Sequence, residues 1–194
     1  RYTALWMTYE DTIRVADLKT RRSRFQRVST EAKIGAEQIM EVREYLHPMS
    51  EEIADTLPTP IGKWILRTKP VTKTIERISE NGIILNTASI SGYCLLYFVA
   101  RLKPIRPRSL RFNLEQERIE AWLTKIADLA PKNYELACEI AECANVIKGY
   151  GETHRNGWRN FTAIMVEVDK VSNNSDAASR IKELRLAALA DEDG

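Results

Sequence analysis

Along most of this chain apolar side chains return every three to four residues, and the pattern is broken by prolines and glycines rather than by long polar stretches. On a 100° wheel Tyr2, Leu5, Trp6, Tyr9, Ile13, Ala16 and Thr20 share one face, while Glu10, Arg14, Lys19, Arg21 and Arg22 lie away from its centre. That spacing predicts an amphipathic helix over residues 1–28. Asp17 falls near the centre of the apolar face with Arg21 four residues on, the favoured acid-then-base order, and reads as a half-buried ion pair. Residues 29–38 carry turn formers and read as loop. Residues 39–46 alternate weakly and stop at His47 and Pro48, which suggests a short strand or a helix with no clear face, with His47 itself a turn residue.

Ser50 followed by Glu51 and Glu52 has the character of a helix start, with acids where the helix dipole favours them. Pro58 and Pro60 punctuate the next segment, and Pro60 suits the first turn of a helix over 61–67 that carries Trp64 and Leu66. From Lys69 to Asn86 the β-branched content rises around an Asn81-Gly82 dipeptide, the pattern of a small hairpin. Ser89 or Ser91 then caps the most apolar stretch, residues 90–102, which predicts a buried central helix ended by Pro104 and Pro107. Residues 108–130 place Phe112, Ile119, Leu123, Ile126 and Ala130 on one face with Trp122 at its flank. Pro131 opens a helix whose core line is Leu136, Ile140, Cys143 and Ile147 and which stops at Gly149; further helices follow over 158–171 and 176–189. The expectation is a mainly α fold: one multi-helix domain over 1–190, with at most a small β-hairpin or short strands near 39–46 and 70–86, and a frayed acidic tail at 191–194.

Composition adds constraints more than identity. The 194 residues are 44% hydrophobic and 29% charged, and 29 Lys and Arg nearly cancel 27 Asp and Glu. A net charge of +2 excludes a strongly polyanion-seeking chain as a whole. Three cysteines, Cys94, Cys138 and Cys143, show no metal-finger spacing and fit a reducing, cytoplasmic compartment. Cys138 and Cys143 are expected to be small core residues. No apolar run approaches a membrane span, the longest being residues 93–100. The chain begins with Arg1 inside a helical pattern, without Met or a leader, and so is expected to be a piece of a longer polypeptide.

The motifs that hold nucleotides, clusters or catalytic metals are missing: there is no GxGxxG, P-loop, HExxH or set of four thiolates. Neither a cofactor nor a metal is therefore expected in this segment. Glu135, Glu139 and Glu142 form a carboxylate stripe, but lack the Glu-x-x-His step of helical di-iron sites and read as a solvated or salt-bridged face. Two basic runs are candidates for docking an acidic partner: Lys19, Arg21, Arg22, Arg24 and Arg27, then Arg101, Lys103, Arg106, Arg108 and Arg111. Nucleic acid is a weaker fit to them, since few aromatics are interleaved. The remaining concentration of reactive types is the glycine-rich turn KGYGETHRNGW, where Lys148, Tyr150, Thr153, His154 and Arg155 form a candidate ligand-binding or catalytic set. A helix cap and hinge, with Gly149 or Gly151 at positive φ, explains the same glycines without a ligand.

Four stretches together carry a family resemblance: ALWMTYEDTIRVADLKTRRSRFQRV at 4–28, LPTPIGKWILR at 57–67, SLRFNLEQERIEAWL at 109–123 and CANVIKGYGETHRNGWRNF at 143–161. They resemble the C-terminal region of the long-form small (beta) subunit of bacterial indolepyruvate ferredoxin oxidoreductases, in the 2-oxoacid ferredoxin oxidoreductase family. The resemblance implies a complex that decarboxylates aryl 2-oxo acids, passes the acyl group to coenzyme A and sends electrons to ferredoxin. Its thiamine diphosphate and 4Fe–4S clusters belong to the large subunit. It further implies, as partners, an N-terminal oxidoreductase domain of the same subunit, the large (alpha) subunit and ferredoxin, with no membrane. No catalytic residue is carried over, so the implied role is a non-catalytic accessory or assembly domain. A ligand site at the Lys148 to Arg155 turn and a nucleic-acid-binding helical module are the alternatives.

Overall fold

Helices predominate because most apolar positions recur at the spacing that brings side chains to one side of a helix. The computed structural model describes residues 1–35, 37–46, 49–80 and 82–190. In order these form α1 (Tyr2–Trp6), α2 (Thr12–Thr20), α3 (Arg22–Glu31), β1 (Arg43–Leu46), α4 (Ser50–Thr56), α5 (Thr59–Arg67), α6 (Lys69–Ser79), β2 (Ile83–Asn86), α7 (Ile90–Arg101), α8 (Leu110–Leu129), α9 (Tyr134–Cys143), α10 (Glu152–Val171) and α11 (Ala177–Ala190). The protein is mainly α, the class its pattern predicts, with one small two-stranded sheet among the described residues. It divides into two compact units: Arg1–Glu10 with Glu115–Gly194, and Asp11–Leu114.

The first unit is organised around Trp6, whose ring lies 5.5 Å from Trp122, 5.1 Å from Trp158 and 5.2 Å from Phe161, centroid to centroid. Tilted and edge-on contacts of this kind each add about 1 kcal/mol beyond simple burial. Leu136, Ile140, Cys143 and Ile147 are fully buried beside this aromatic group, as their spacing predicts. On α8 the inward position belongs to Trp122 rather than Leu123, which is exposed. The indole has more surface to bury, and its Nε1 donates to the Ile140 carbonyl at 2.9 Å. A side chain, not Pro131, starts α9: Asn133 Oδ1 accepts from the Leu136 amide at 3.0 Å. Cys138 is exposed while Cys143 is buried, so only one of the two is a core residue. Five residues along a helix turn a side chain by about 140°, too far to share a face.

The helix predicted over 1–28 is broken twice, and only its part from Asp11 onwards belongs to the second unit. Glu10 takes a positive φ of 54°, and the next residue, Asp11, is extended and caps α2 by accepting from the Arg14 amide at 3.0 Å. Arg21 is extended as well, and α3 then runs through Glu31 into the predicted loop. The Asp17–Arg21 pair is present at 2.6 Å. The hairpin predicted within 70–86 does not form, because Lys69–Ser79 is helical with Pro70 in its first turn. Val71, Thr72, Ile75 and Ser79 are half-buried at helical spacing, and that amphipathic fit overrides the β preference of the branched side chains. β2 pairs instead with β1, antiparallel, with Arg43 opposite Asn86 and Leu46 opposite Ile83. Asn81 of the predicted turn, His47, Pro48 and the 191–194 tail lie outside the described residues.

The largest departure concerns α7. Ser89 caps it, its Oγ accepting from the Gly92 amide at 3.1 Å, but the helix is not buried. Gly92 and Leu96 are its buried residues, whereas Ile90 is 87% and Phe98 65% exposed. The inward stripe must be narrow: a Cβ on Gly92 would fall 2.0 Å from the Asn86 carbonyl oxygen. Gly92, Leu96, Val99 and Ala100 line this side, and the larger side chains of the same apolar run are left outside.

Candidate functional site

The glycine-rich turn lies in the first unit, between the 3₁₀ turn Ala144–Val146 and α10. Gly149 and Gly151 both take positive φ, 79° and 62°, which bends the chain back into α10. Gly151 occupies the N-cap position and its amide donates to Glu10 Oε1 at 2.5 Å. Gly157 lets the first turns of α10 approach the preceding segment, since a Cβ there would lie 2.6 Å from the Val146 carbonyl oxygen.

Of the five candidate side chains, Lys148 and Tyr150 lie in the turn while Thr153, His154 and Arg155 belong to the start of α10, and they take separate environments. His154 is buried on the inward side of α10, whereas Arg155 is exposed and pairs with Glu152 at 2.5 Å. That ion pair holds the Glu152 carboxyl below its ordinary range. Thr153 sits against Gly149, and exposed Tyr150 meets Tyr9 edge-on at 6.0 Å. Lys148 is half-buried. Two open grooves occur in the same unit. One, of about 640 Å³, has Ile164, Leu184 and Ala188 in its lining with Lys170 and Arg180; the other, of about 470 Å³, has Ala121, Lys125 and Asp169. None of the five candidate residues lines either groove.

Two carboxylates of the stripe on α9, Glu139 and Glu142, are held in internal pairs, while Glu135 is exposed. Arg185 donates to Glu139 Oε2 through Nη2 at 2.7 Å and Nε at 3.1 Å, and the Tyr2 hydroxyl donates to Glu142 at 2.6 Å. The bond to Glu142 raises the Tyr2 hydroxyl above its usual pKa. Burial pushes the neighbouring Cys143 thiol up to about 12. Among the described residues no group of three or more His, Cys, Asp or Glu is placed to hold a metal, and no helix is long and apolar enough to cross a membrane.

Both predicted basic runs lie in the second unit, and much of their charge is used within it. Lys19 pairs with Glu44 at 2.5 Å, and Arg24 pairs with the same carboxylate. Arg21 pairs with Asp17, Arg27 with Glu31 at 3.8 Å, and Arg106 with the buried carboxylate of Asp11 at 2.7 Å. Arg101 lies 4.8 Å over the Tyr97 ring and Arg24 lies 5.6 Å over Phe25. Between them Phe25, Tyr93 and Tyr97 form a row, with Tyr93 and Tyr97 stacked at 6.0 Å. The structure thus brings one member of each run to the two ends of an aromatic row on α3 and α7. Arg22, Lys103 and Arg108 are exposed, and Arg111 is half-buried at the start of α8.

The sequence reading missed a third basic group, Lys63 and Arg67 on α5 and Lys69, Lys73 and Arg77 on α6. All five are exposed. The signal was the four-residue step from Lys69 to Lys73 to Arg77, hidden by reading that segment as strand.

Fold and site together define a mainly helical protein whose polar candidates are largely engaged in internal pairs and caps. Residues 1–167 match a family described as a family of unknown function (DUF6537), and the chain belongs to that family. No curated protein and no solved structure matches it.

Proposed function

We propose that this chain is a non-catalytic accessory or assembly domain of a thiamine-diphosphate-dependent aryl 2-oxoacid ferredoxin oxidoreductase complex, packing against other parts of that complex through its second unit. One observation carries the docking role: the distribution of large apolar side chains between the two units. Among the described residues, the first unit buries fifteen hydrophobic residues and leaves six large ones exposed, whereas the second buries six and leaves seventeen exposed. Exposed apolar surface on that scale is a mark of an interaction face. It includes Ile90, Leu95, Tyr97 and Phe98 of α7. The family resemblance supports the choice of complex, and partners there are the N-terminal oxidoreductase domain, the large subunit and ferredoxin.

The test separates docking from catalysis. In the assembled complex, Lys148→Ala and His154→Asn are expected to leave turnover unchanged at equal assembly. A fall in turnover with assembly intact would favour a ligand site at the 148–155 turn. Thiamine diphosphate, flavin or an iron–sulfur cluster bound to the purified chain would overturn the accessory role.

A further inference from the structure

The near-neutral total conceals a separation of charge. Asp11–Leu114 carries 18 Lys and Arg against 11 Asp and Glu, a net +7, while the remainder carries 11 against 16, a net −5. The excess is concentrated late in the second unit. Residues 57–75 contain no acid, and 57–114 hold ten cations against Glu76 and Glu80 alone.

On α5 and α6 this charge is left at the surface among the described residues. Lys63, Arg67, Lys69, Lys73 and Arg77 are exposed, and none forms an ion pair among the described residues. Lys69, Lys73 and Arg77 follow one another at four-residue steps along one side of α6. Lys63 and Arg67 repeat the step on α5. Among them stand large apolar side chains: Trp64 is 58% exposed, and Ile61, Leu66 and Ile78 are exposed too. Glu76, on the same helix, is a hydrogen-bond acceptor for buried Ser50.

We propose that the α5–α6 face docks an acidic protein surface, with these five cations meeting carboxylates and Trp64 seated in an apolar recess of the partner. Unpaired like charges on adjacent helices repel one another, a cost that a carboxylate-bearing surface relieves on binding. A protein fits better than a nucleic acid because the face carries one exposed indole among aliphatic side chains. Stacking on bases calls for several rings, whereas Trp and Arg among apolar neighbours are what anchor protein interfaces. The inference stands on charge and exposure and does not rest on the oxidoreductase reading.

The experiment titrates the 194-residue chain against labelled poly-L-glutamate and a glutamate–tyrosine copolymer at low salt, beside oligothymidylate and phosphatidylserine vesicles. Both acidic polypeptides are expected to bind. K63E/K69E/K73E/R77E is expected to weaken binding at least about tenfold, and the charge-matched R14E/R22E/K103E/R108E less than about threefold. Trp64→Ala is expected to weaken the copolymer and spare polyglutamate. Equal losses in the two quadruple variants, or tighter binding of oligothymidylate or vesicles, would overturn the proposal. Circular dichroism checks the fold. Should the reversal variant not fold, K63Q/K69Q/K73Q/R77Q provides the same comparison, and unchanged binding there is equally contrary.

Discussion

Gly151 and Glu10, 141 residues apart, are joined by a hydrogen bond from the Gly151 amide to Glu10 Oε1 at 2.5 Å, and both residues have positive φ. The bond ties the end of the α1 segment to the start of α10 where each chain path turns sharply. Glu10→Ala removes a charged acceptor and is expected to cost about 2 kcal/mol in a denaturant titration. Glu10→Gly loses the same acceptor but relieves a left-handed backbone worth about 1 kcal/mol, so it is expected to be the milder change. The reverse order would contradict the left-handed backbone at residue 10, and unchanged stability in both variants would show that the carboxylate does not hold the turn.

Gly157 is expected to tolerate no side chain, since a Cβ would sit 2.6 Å from the Val146 carbonyl oxygen, a backbone atom that cannot rotate away. Gly157→Ala should cost about 2 kcal/mol despite the better helix propensity of alanine, measured by thermal unfolding. A stabilised variant would contradict the close approach.

Arg185 and Glu139 form a largely sheltered pair, with side chains 11% and 20% exposed. Arg185→Ala leaves the carboxylate without its forked donor and is expected to lose about 2 kcal/mol. Arg185→Lys should recover only part of this, because a single ammonium cannot reproduce the Nε and Nη2 contacts. Equal stability of the lysine variant and the parent would remove the bidentate account.

Thiol chemistry gives a pH test. With its pKa pushed up to about 12 by burial, Cys143 stays protonated when folded well above the pH at which an unfolded thiol ionises. The unfolded state therefore releases a proton that the folded state keeps, so this contribution to stability is complete below the ordinary thiol range and falls as pH rises through it towards 12. Cys143→Ala should flatten that alkaline fall. In the native protein a thiol reagent at neutral pH is expected to modify exposed Cys94 and Cys138 and to reach Cys143 only on unfolding.

Legibility of the fold in the sequence followed burial. Leu136, Ile140 and Cys143 were readable because one helix face meets one continuous core, and Ile147, extended beyond the end of α9, is buried in the same core. α7 was misread because hydrophobicity reports the tendency to be covered, not what does the covering; the same residues serve a core helix or an interface. α6 was misread because β-branched side chains suit both a strand and a half-buried helix, and local propensity is weak against packing. The break after Tyr9 was hidden in a continuous apolar stripe, although Asp11 is an ordinary N-cap residue. At the candidate turn, the two glycines at positive φ were foreseeable, but the separate environments of His154 and Arg155 depend on which face of α10 each occupies.

The central claim is that the exposed apolar side of α7 is a docking face, and the most direct measurement is co-elution of Ile90→Glu/Phe98→Glu with the other parts of the proposed oxidoreductase complex. Both positions are exposed, so the variant is expected to fold with stability within about 0.5 kcal/mol of the parent. Its association should weaken at least about tenfold, as expected when apolar anchors are replaced by charges. A folded variant that co-elutes as well as the parent would contradict the claim.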